Sequence, residues 1–377
     1  MKIASVLALS GWLAMAGTVS AEQREGAPGG FTPTPGMITM MSLGQSGLLG
    51  SMFSNEVYGN TQNKMGQSRA TIGYIEDSLI RQGVPEAMWP AFKDRGTTFV
   101  MPMALIKELP SASGASFIRL NVEPNWARAR SHLPVRTTGG ARRVDLQFLH
   151  APVPTRIFGV GLMYERSEHD IDYTEDPANA TGHSKRDAWG LRVDYAEAYT
   201  RQWGVTARAE YQKGKADWIA SNDFFRQHDR YDENRLYAQV ELIGTFTSRE
   251  IGVLPESWLF RPILGGNYQR SIMGAASDSV VNKKYENYGA VWARARFEKK
   301  QVPGPQWQIM PNFSIGLERE YVNDLDKWLV DSTYALASVG VGMTRGAFRV
   351  DVEYNLRKGL KNNRAENVIS AAMVYQL

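Results

Sequence analysis

Residues Trp203-Gly204-Val205-Thr206-Ala207-Arg208-Ala209-Glu210-Tyr211 alternate, with Trp203, Val205, Ala207, Ala209 and Tyr211 on one side and Arg208 and Glu210 on the other. A period of two is the period of a strand, and a strand with one apolar and one ionised face meets two different solvents. Phe348-Arg349-Val350-Asp351-Val352-Glu353-Tyr354-Asn355-Leu356 repeats the pattern. Working outward, twelve such stretches emerge, at approximately 116–128, 142–150, 156–167, 186–199, 202–213, 234–247, 258–271, 285–299, 305–321, 332–344, 346–357 and 366–377. Each approaches or exceeds the roughly 9–11 residues a tilted strand needs to cross a bilayer. The connections 168–185, 214–233, 272–284, 322–331 and 358–365 are long. Those at 151–155, 200–201, 300–304 and Arg345 are short, with 248–257 the exception. This sorting predicts a closed barrel with loops on one rim and tight turns on the other.

Aromatic residues on the apolar face fall into two groups. Trp203, Phe246, Trp258, Trp307 and Phe348 lie near the short turns; Trp126, Tyr164, Trp189, Tyr211, Tyr268 and Tyr354 lie towards the long loops. Two girdles at membrane–water interfaces would have this distribution. Composition agrees. In 377 residues, 43% hydrophobic with mean hydropathy −0.35, nothing beyond the first twenty approaches the about 18 consecutive apolar residues of a spanning helix. Aromatic and β-branched residues are too frequent for disorder, and a net charge of +4 points to no nucleic-acid partner.

The last stretch, Ile369-Ser370-Ala371-Ala372-Met373-Val374-Tyr375-Gln376-Leu377, carries an alternating apolar set of Ile369, Ala371, Met373, Tyr375 and Leu377. With the amphipathic segments and an apolar leader, it makes the chain resemble bacterial outer-membrane β-barrel proteins. The resemblance implies a location in the bacterial outer membrane, contact with its lipid and lipopolysaccharide, and recognition of this C-terminal set by the outer-membrane assembly machinery. The family's usual terminal aromatic residue is here Leu377. At twelve strands the barrel also resembles autotransporter translocators, small-solute channels and the outer-membrane phospholipase, so activity has to be argued from lumen and loops.

The N-terminus divides further. Lys2, an apolar run over 3–16 and the small residues Val19 and Ala21 before Glu22 predict a signal peptide over 1–21, whose removal leaves a formal charge of +3. Residues 22–115 have a different texture: a Gly/Pro-rich opening, a Met/Gly/Leu-rich stretch over 37–53, and a helical pattern over 67–82 stopped by Gly83 and Pro85. This region is expected to form a leader and a short helical plug or cap, and 116–377 the barrel. Alternatively, 98–106 adds a strand and raises the count to thirteen or fourteen.

The register places Arg119, Glu123, Arg143, Asp145, Arg192, Asp194, Arg208, Glu210, Arg294, Arg296, Glu298, Arg349, Asp351 and Glu353 in the lumen. Opposite charges recur two residues apart, so each Arg can meet a carboxylate on its own strand or a neighbour. Two readings stay open: a rigidifying salt-bridge network, or a narrow hydrated pore for a small polar or anionic solute. On the rim, Arg128, Arg130, Arg136 and Arg142 in the first loop and Arg357, Lys358, Lys361 and Arg364 in the last predict one basic sector, suited to lipopolysaccharide phosphates or an anionic solute. Loop 168–187, with Glu168, Asp170, Asp172, Glu175, Asp176 and Asp187, could hold a divalent cation loosely.

Catalytic signatures are weak. His-x-Ser is absent, and the His169-Asp170 and His228-Asp229 pairs lack the matching Asp-x-His of omptin proteases. No nucleotide loop or zinc spacing occurs, and no cofactor, metal or disulfide is expected in a chain without Cys. The expectation is an all-β transmembrane antiparallel barrel of about twelve strands acting as a passive channel with a charged, partly plugged lumen and no catalysis. A translocator of polypeptide or polymer is the first alternative and a membrane-embedded hydrolase the second.

Overall fold

The computed structural model describes residues 34–54, 94–130, 136–172, 181–221, 226–275, 284–300, 306–324, 331–361 and 364–377. The signal peptide and the helical pattern over 67–82 lie outside them. Two helices, α1 (Pro35–Gln45) and α2 (Leu48–Phe53), precede β1 (Asp94–Val100) and β2 (Met103–Leu109). Then come β3 (Ala115–Arg130), β4 (Arg136–Val153), β5 (Arg156–Asp172), β6 (Thr181–Ala198), β7 (Trp203–Ser221) and β8 (Arg226–Gly244). The wall is completed by β9 (Trp258–Met273), β10 (Lys284–Lys299), β11 (Gln308–Asn323), β12 (Thr333–Arg345), β13 (Phe348–Gly359) and β14 (Arg364–Gln376).

Each of β3 to β14 is antiparallel to the next, matching the twelve stretches of alternating sequence. Both β1 and β2 pair with β3 on one side and β14 on the other, so together they make one further stave, giving thirteen. Pro102 separates the halves: its carbonyl accepts from the Met373 amide, but it has no amide of its own to offer the ladder. Residues 94–109 therefore belong to the wall rather than to the N-terminal plug region. An odd stave count makes the closing pair parallel, Asp94 lying opposite Arg364 and Val100 opposite Ser370.

The wall turns grease outward. Along β4, Arg143, Asp145, Gln147 and Leu149 are buried while Val144, Leu146 and Phe148 are exposed, and Leu162 on β5 is 60% exposed. Low-girdle rings touch one another through Trp203–Phe246, Phe246–Phe260, Phe260–Phe297, Phe297–Phe313 and Trp307–Phe348, with centroids 5.0–6.3 Å apart. The upper girdle is marked by a repeated bond. The hydroxyls of Tyr164, Tyr211, Tyr268 and Tyr354 donate to Asp187, Asn234, Asn287 and Asn367 at 2.8, 3.2, 2.7 and 2.6 Å. Each acceptor sits on the next strand, two residues closer to the upper rim. An aromatic body in lipid with its polar tip bonded towards water is the arrangement an interface favours.

Above that belt the strands continue, which corrects the expectation of long loops. β5 runs to Asp172, β6 starts at Thr181, β7 ends at Ser221 and β8 starts at Arg226. The overhang presents Arg166, Glu168, Lys185, Asp187 and Asp217 outward in ion pairs, so its outer face is no longer apolar and the amphipathic signal stops at the belt.

Candidate functional site: the charged lumen and its helical plug

The helices fill the lower lumen. Thr34 caps α1 by accepting from the Met37 amide, Pro35 occupies the first turn, and Glu108 on β2 accepts from the Thr34 hydroxyl and the Gly36 amide at 2.7 and 2.9 Å. Gly47, at φ +76°, turns the chain into α2. Leu43, Leu48 and Met52 pack against Ile106, Phe117, Leu149, Ile157, Ala196 and Ile243, the inward residues low on the wall. These apolar inward positions were not anticipated. Their signal is a local loss of alternation where both faces are apolar: Phe117-Ile118, Phe148-Leu149 and Ile157-Phe158.

Wall side chains then bond the plug's backbone and hydroxyls. Arg192 donates to the Met52 carbonyl at 3.0 Å, and Arg208 to the carbonyls of Met52 and Ser54 at 2.7 and 2.8 Å. Cations at a helix C-terminus satisfy carbonyls that the helix leaves unpaired. Arg261 donates to the Gln45 carbonyl at 2.7 Å, and the Ser51 hydroxyl meets that of Thr206 at 2.8 Å. Ser51 also donates to Glu241, which accepts from the Trp292 indole at 3.0 Å, so one carboxylate joins plug to far wall.

Beside α2 lies a buried ionic tier. Arg143 binds Asp145 at 2.8 Å and forks onto Glu210 at 3.1 and 2.8 Å; Arg192 binds Asp194 at 2.6 Å and Asp145 at 3.2 Å; Arg208 reaches Asp194 at 3.3 Å. Arg119 donates to Gln147 and lies 4.3 Å over the Phe53 ring, and Glu123 is buried on the same wall. In a second tier above it the alternation places Glu165 inward, but Arg186, Glu233 and Arg235 were missed in the sequence: Arg186 binds Glu233 and Glu165 at 2.8 and 3.1 Å, and Arg235 binds Glu233 at 2.7 Å.

The β10–β13 wall differs. Arg296 reaches Glu298 and, across two strands, Glu353, each with N···O distances of 3.0–3.1 Å; Arg349 pairs with Asp351 at 2.6 Å. The small residues Ser314, Ser338 and Gly340 between them leave room for the crossing. Arg349 is 45% exposed on its side chain and Arg296 25%, against 0% for Arg192. The described bonds that hold α1 and α2 come from β2, from β6 to β9 and from Thr245 just after β8; among the described residues none comes from β10 to β13, where Arg296 and Arg349 are part-exposed while Asn312, Ser314 and Ser338 are buried. Arg294, placed by sequence among the paired charges, has no ion-pair partner among the described residues.

The upper basic sector is corrected in part. Arg128, Arg136, Arg142, Lys358 and Lys361 are exposed; of Arg130 only the backbone, paired with Arg136, is described. Arg357 and Arg364 instead point inward, Arg357 onto Glu318 and Glu320 at 2.7 and 2.6 Å and Arg364 onto Glu366 at 2.6 Å. Period two forces this, because Asn355, Arg357 and Gly359 share the lumen face of β13. The acidic 168–187 stretch is mostly strand, with Glu168 on Arg166, Asp170 on His183 at 2.8 Å and Asp187 on Tyr164; Glu175 and Asp176 lie outside the described residues. His169 faces inward and His228 meets Asp217 at 3.0 Å. Ile369, Ala371, Met373 and Tyr375 stand opposite Tyr354, Val352, Val350 and Phe348 on the outward face, and the Leu377 amide donates to Ile106 at 2.7 Å.

A closed sheet with an apolar exterior, aromatic girdles and an ionic lumen defines an integral β-barrel of the outer-membrane type. Among the described residues no helix is long and apolar enough to cross a membrane. No family model and no curated protein matches the chain. Among solved structures it is similar to the translocator domain of the autotransporter NalP from Neisseria meningitidis, at 11% identity and TM-score 0.45 over 82% of this chain and 95% of that one. It is also similar to the β domain of the Bordetella autotransporter Brka, at 13% and 0.43 over 63% and 88%. A mutant of the monoaromatic hydrocarbon channel TodX follows, at 10% and 0.38 over 71% and 85%. At this degree of likeness the barrel's own two faces carry the class.

Proposed function

We propose that this barrel is a non-catalytic conduit for small polar solutes across the outer membrane, held shut at rest by its own N-terminal helices. The observation that supports it most is the grip of Arg192 and Arg208 on the terminal carbonyls of α2, while among the described residues no plug bond comes from the β10–β13 wall. Lipid and lipopolysaccharide surround the wall in this reading, and residues 1–21 direct secretion into a Gram-negative envelope. A polypeptide or polymer passenger fits less well. The Arg143–Glu210 bridge crosses from β4 to β7 and Arg296–Glu353 from β10 to β13, and both would have to break for a thick chain to pass.

The chain has no Cys, so a reversible lock can be built without background. Ser51→Cys with Thr206→Cys replaces two hydroxyls 2.8 Å apart. In planar bilayers the reduced protein is expected to show opening events, the oxidised protein none, and reductant to restore them. Equal currents in both states would remove the plug from the account; silence in both would remove the conduit.

A further inference from the structure

We infer that Arg294 is an oxyanion-recognition site on the lumen wall, and that the conduit's solute is a small carboxylate or phosphate. This rests on the conduit reading. Of the described arginines facing the lumen, Arg143, Arg186, Arg192, Arg208, Arg235, Arg261, Arg296, Arg349, Arg357 and Arg364 each have a carboxylate within ion-pair distance. Arg119 has Gln147 and the Phe53 ring instead. Among the described residues Arg294 has no carboxylate, amide or ring, and its Nε is buried without an acceptor. A charged donor shielded from water and left without an acceptor is unfavourable, and an incoming oxyanion would relieve it through the forked contact that guanidinium groups make.

The neighbours cannot supply the missing charge. Opposite Arg294 stand Ile263 on β9 and Gly316 on β11, with Leu336 beyond on β12. Gly316 keeps the space over the guanidinium stem open, since a Cβ there would lie 2.9 Å from the Arg294 Cγ. Nearby carboxylates are engaged elsewhere: Glu318 by Arg357, Glu298 by Arg261 and Arg296, and Glu353 by Arg296. Two more groups on this wall lack partners, the Asn312 Oδ1 and the Asn355 Nδ2, both on side chains more than nine-tenths buried. Asn312 lies nearer the lower rim than Arg294, and Asn355, next to Tyr354 of the upper girdle, lies nearer the upper one, so an unpaired acceptor and an unpaired donor flank the unpaired cation along the wall.

Titration calorimetry of the full chain in phosphate-free detergent buffer, with inorganic phosphate as probe, tests this without requiring current. Saturable one-to-one binding is expected, weakened at least tenfold by Arg294→Gln and partly kept by Arg294→Lys. Arg249→Gln, on the exposed lower-rim connection, controls for general charge. Because Arg294→Gln removes a charge that has no partner, heat-modifiable migration on a gel should confirm that it folds. No binding by the unaltered chain, or equal binding by Arg294→Gln, would overturn the inference. Binding without conductance would sink only the conduit reading, and conductance without binding only this one.

Discussion

Arg192 is fully buried, with Asp194 and Asp145 as its ion-pair partners and the Met52 carbonyl as a further acceptor. Removing one member of such a set leaves the others as uncompensated buried charge, which costs about 3–5 kcal/mol. Arg192→Met is therefore expected to lower the stability of the folded barrel by that amount in urea titrations in lipid vesicles; a change below about 1 kcal/mol would mean that water reaches the pair. Much at this scale was legible, because period two fixes which residues face inward. Pairs two residues apart, Arg143–Asp145, Arg192–Asp194 and Arg349–Asp351, follow from the strand alone. Arg143–Glu210 and Arg296–Glu353 do not, since a chord across a curved wall joins strands that are not neighbours. Arg294 stayed hidden for the same reason: its lack of a partner depends on where every other carboxylate is drawn.

At the scale of elements, the two helices depend on one left-handed residue. A side chain at Gly47 would meet φ +76° and place its Cβ 2.7 Å from the Arg261 Nη1, whose guanidinium holds the end of α1. Left-handed backbone costs an L-residue about 1–2 kcal/mol, so Gly47→Ala should loosen the plug alone. Amide exchange over 35–53 is expected to accelerate about tenfold while the strands keep their protection; uniform acceleration would show that helices and wall melt together. Twelve strands could be read because each carries a full membrane-crossing alternation. The thirteenth stave was legible only as the alternative strand over 98–106, since β1 and β2 are each only seven residues long and Pro102 divides them. Strand overhang was equally hidden, because Lys185, Asp187 and Asp217 on the outer face read as loop once the lipid-facing pattern has ended.

The whole molecule is a wall between two solvents with an eccentric interior. The buried ionic tiers centred on Arg192 and Arg186 lie on β4 to β8 and the described plug bonds come from β2 and from β6 to β9, leaving β10 to β13 without a described plug bond, an asymmetry no strand-by-strand reading can locate. What makes that interior meaningful is that lipid lies outside and water within. Single cysteines at 337–341 on β12, added one at a time to the Cys-free chain and spin-labelled in vesicles, test this most directly. Ala337, Val339 and Val341 share one face, and Ser338 and Gly340 the other. Collision with dissolved oxygen should peak at 337, 339 and 341, and collision with a water-soluble nickel chelate should favour 338 and 340. A flat profile, or one unchanged when lipid is withheld, would contradict the account.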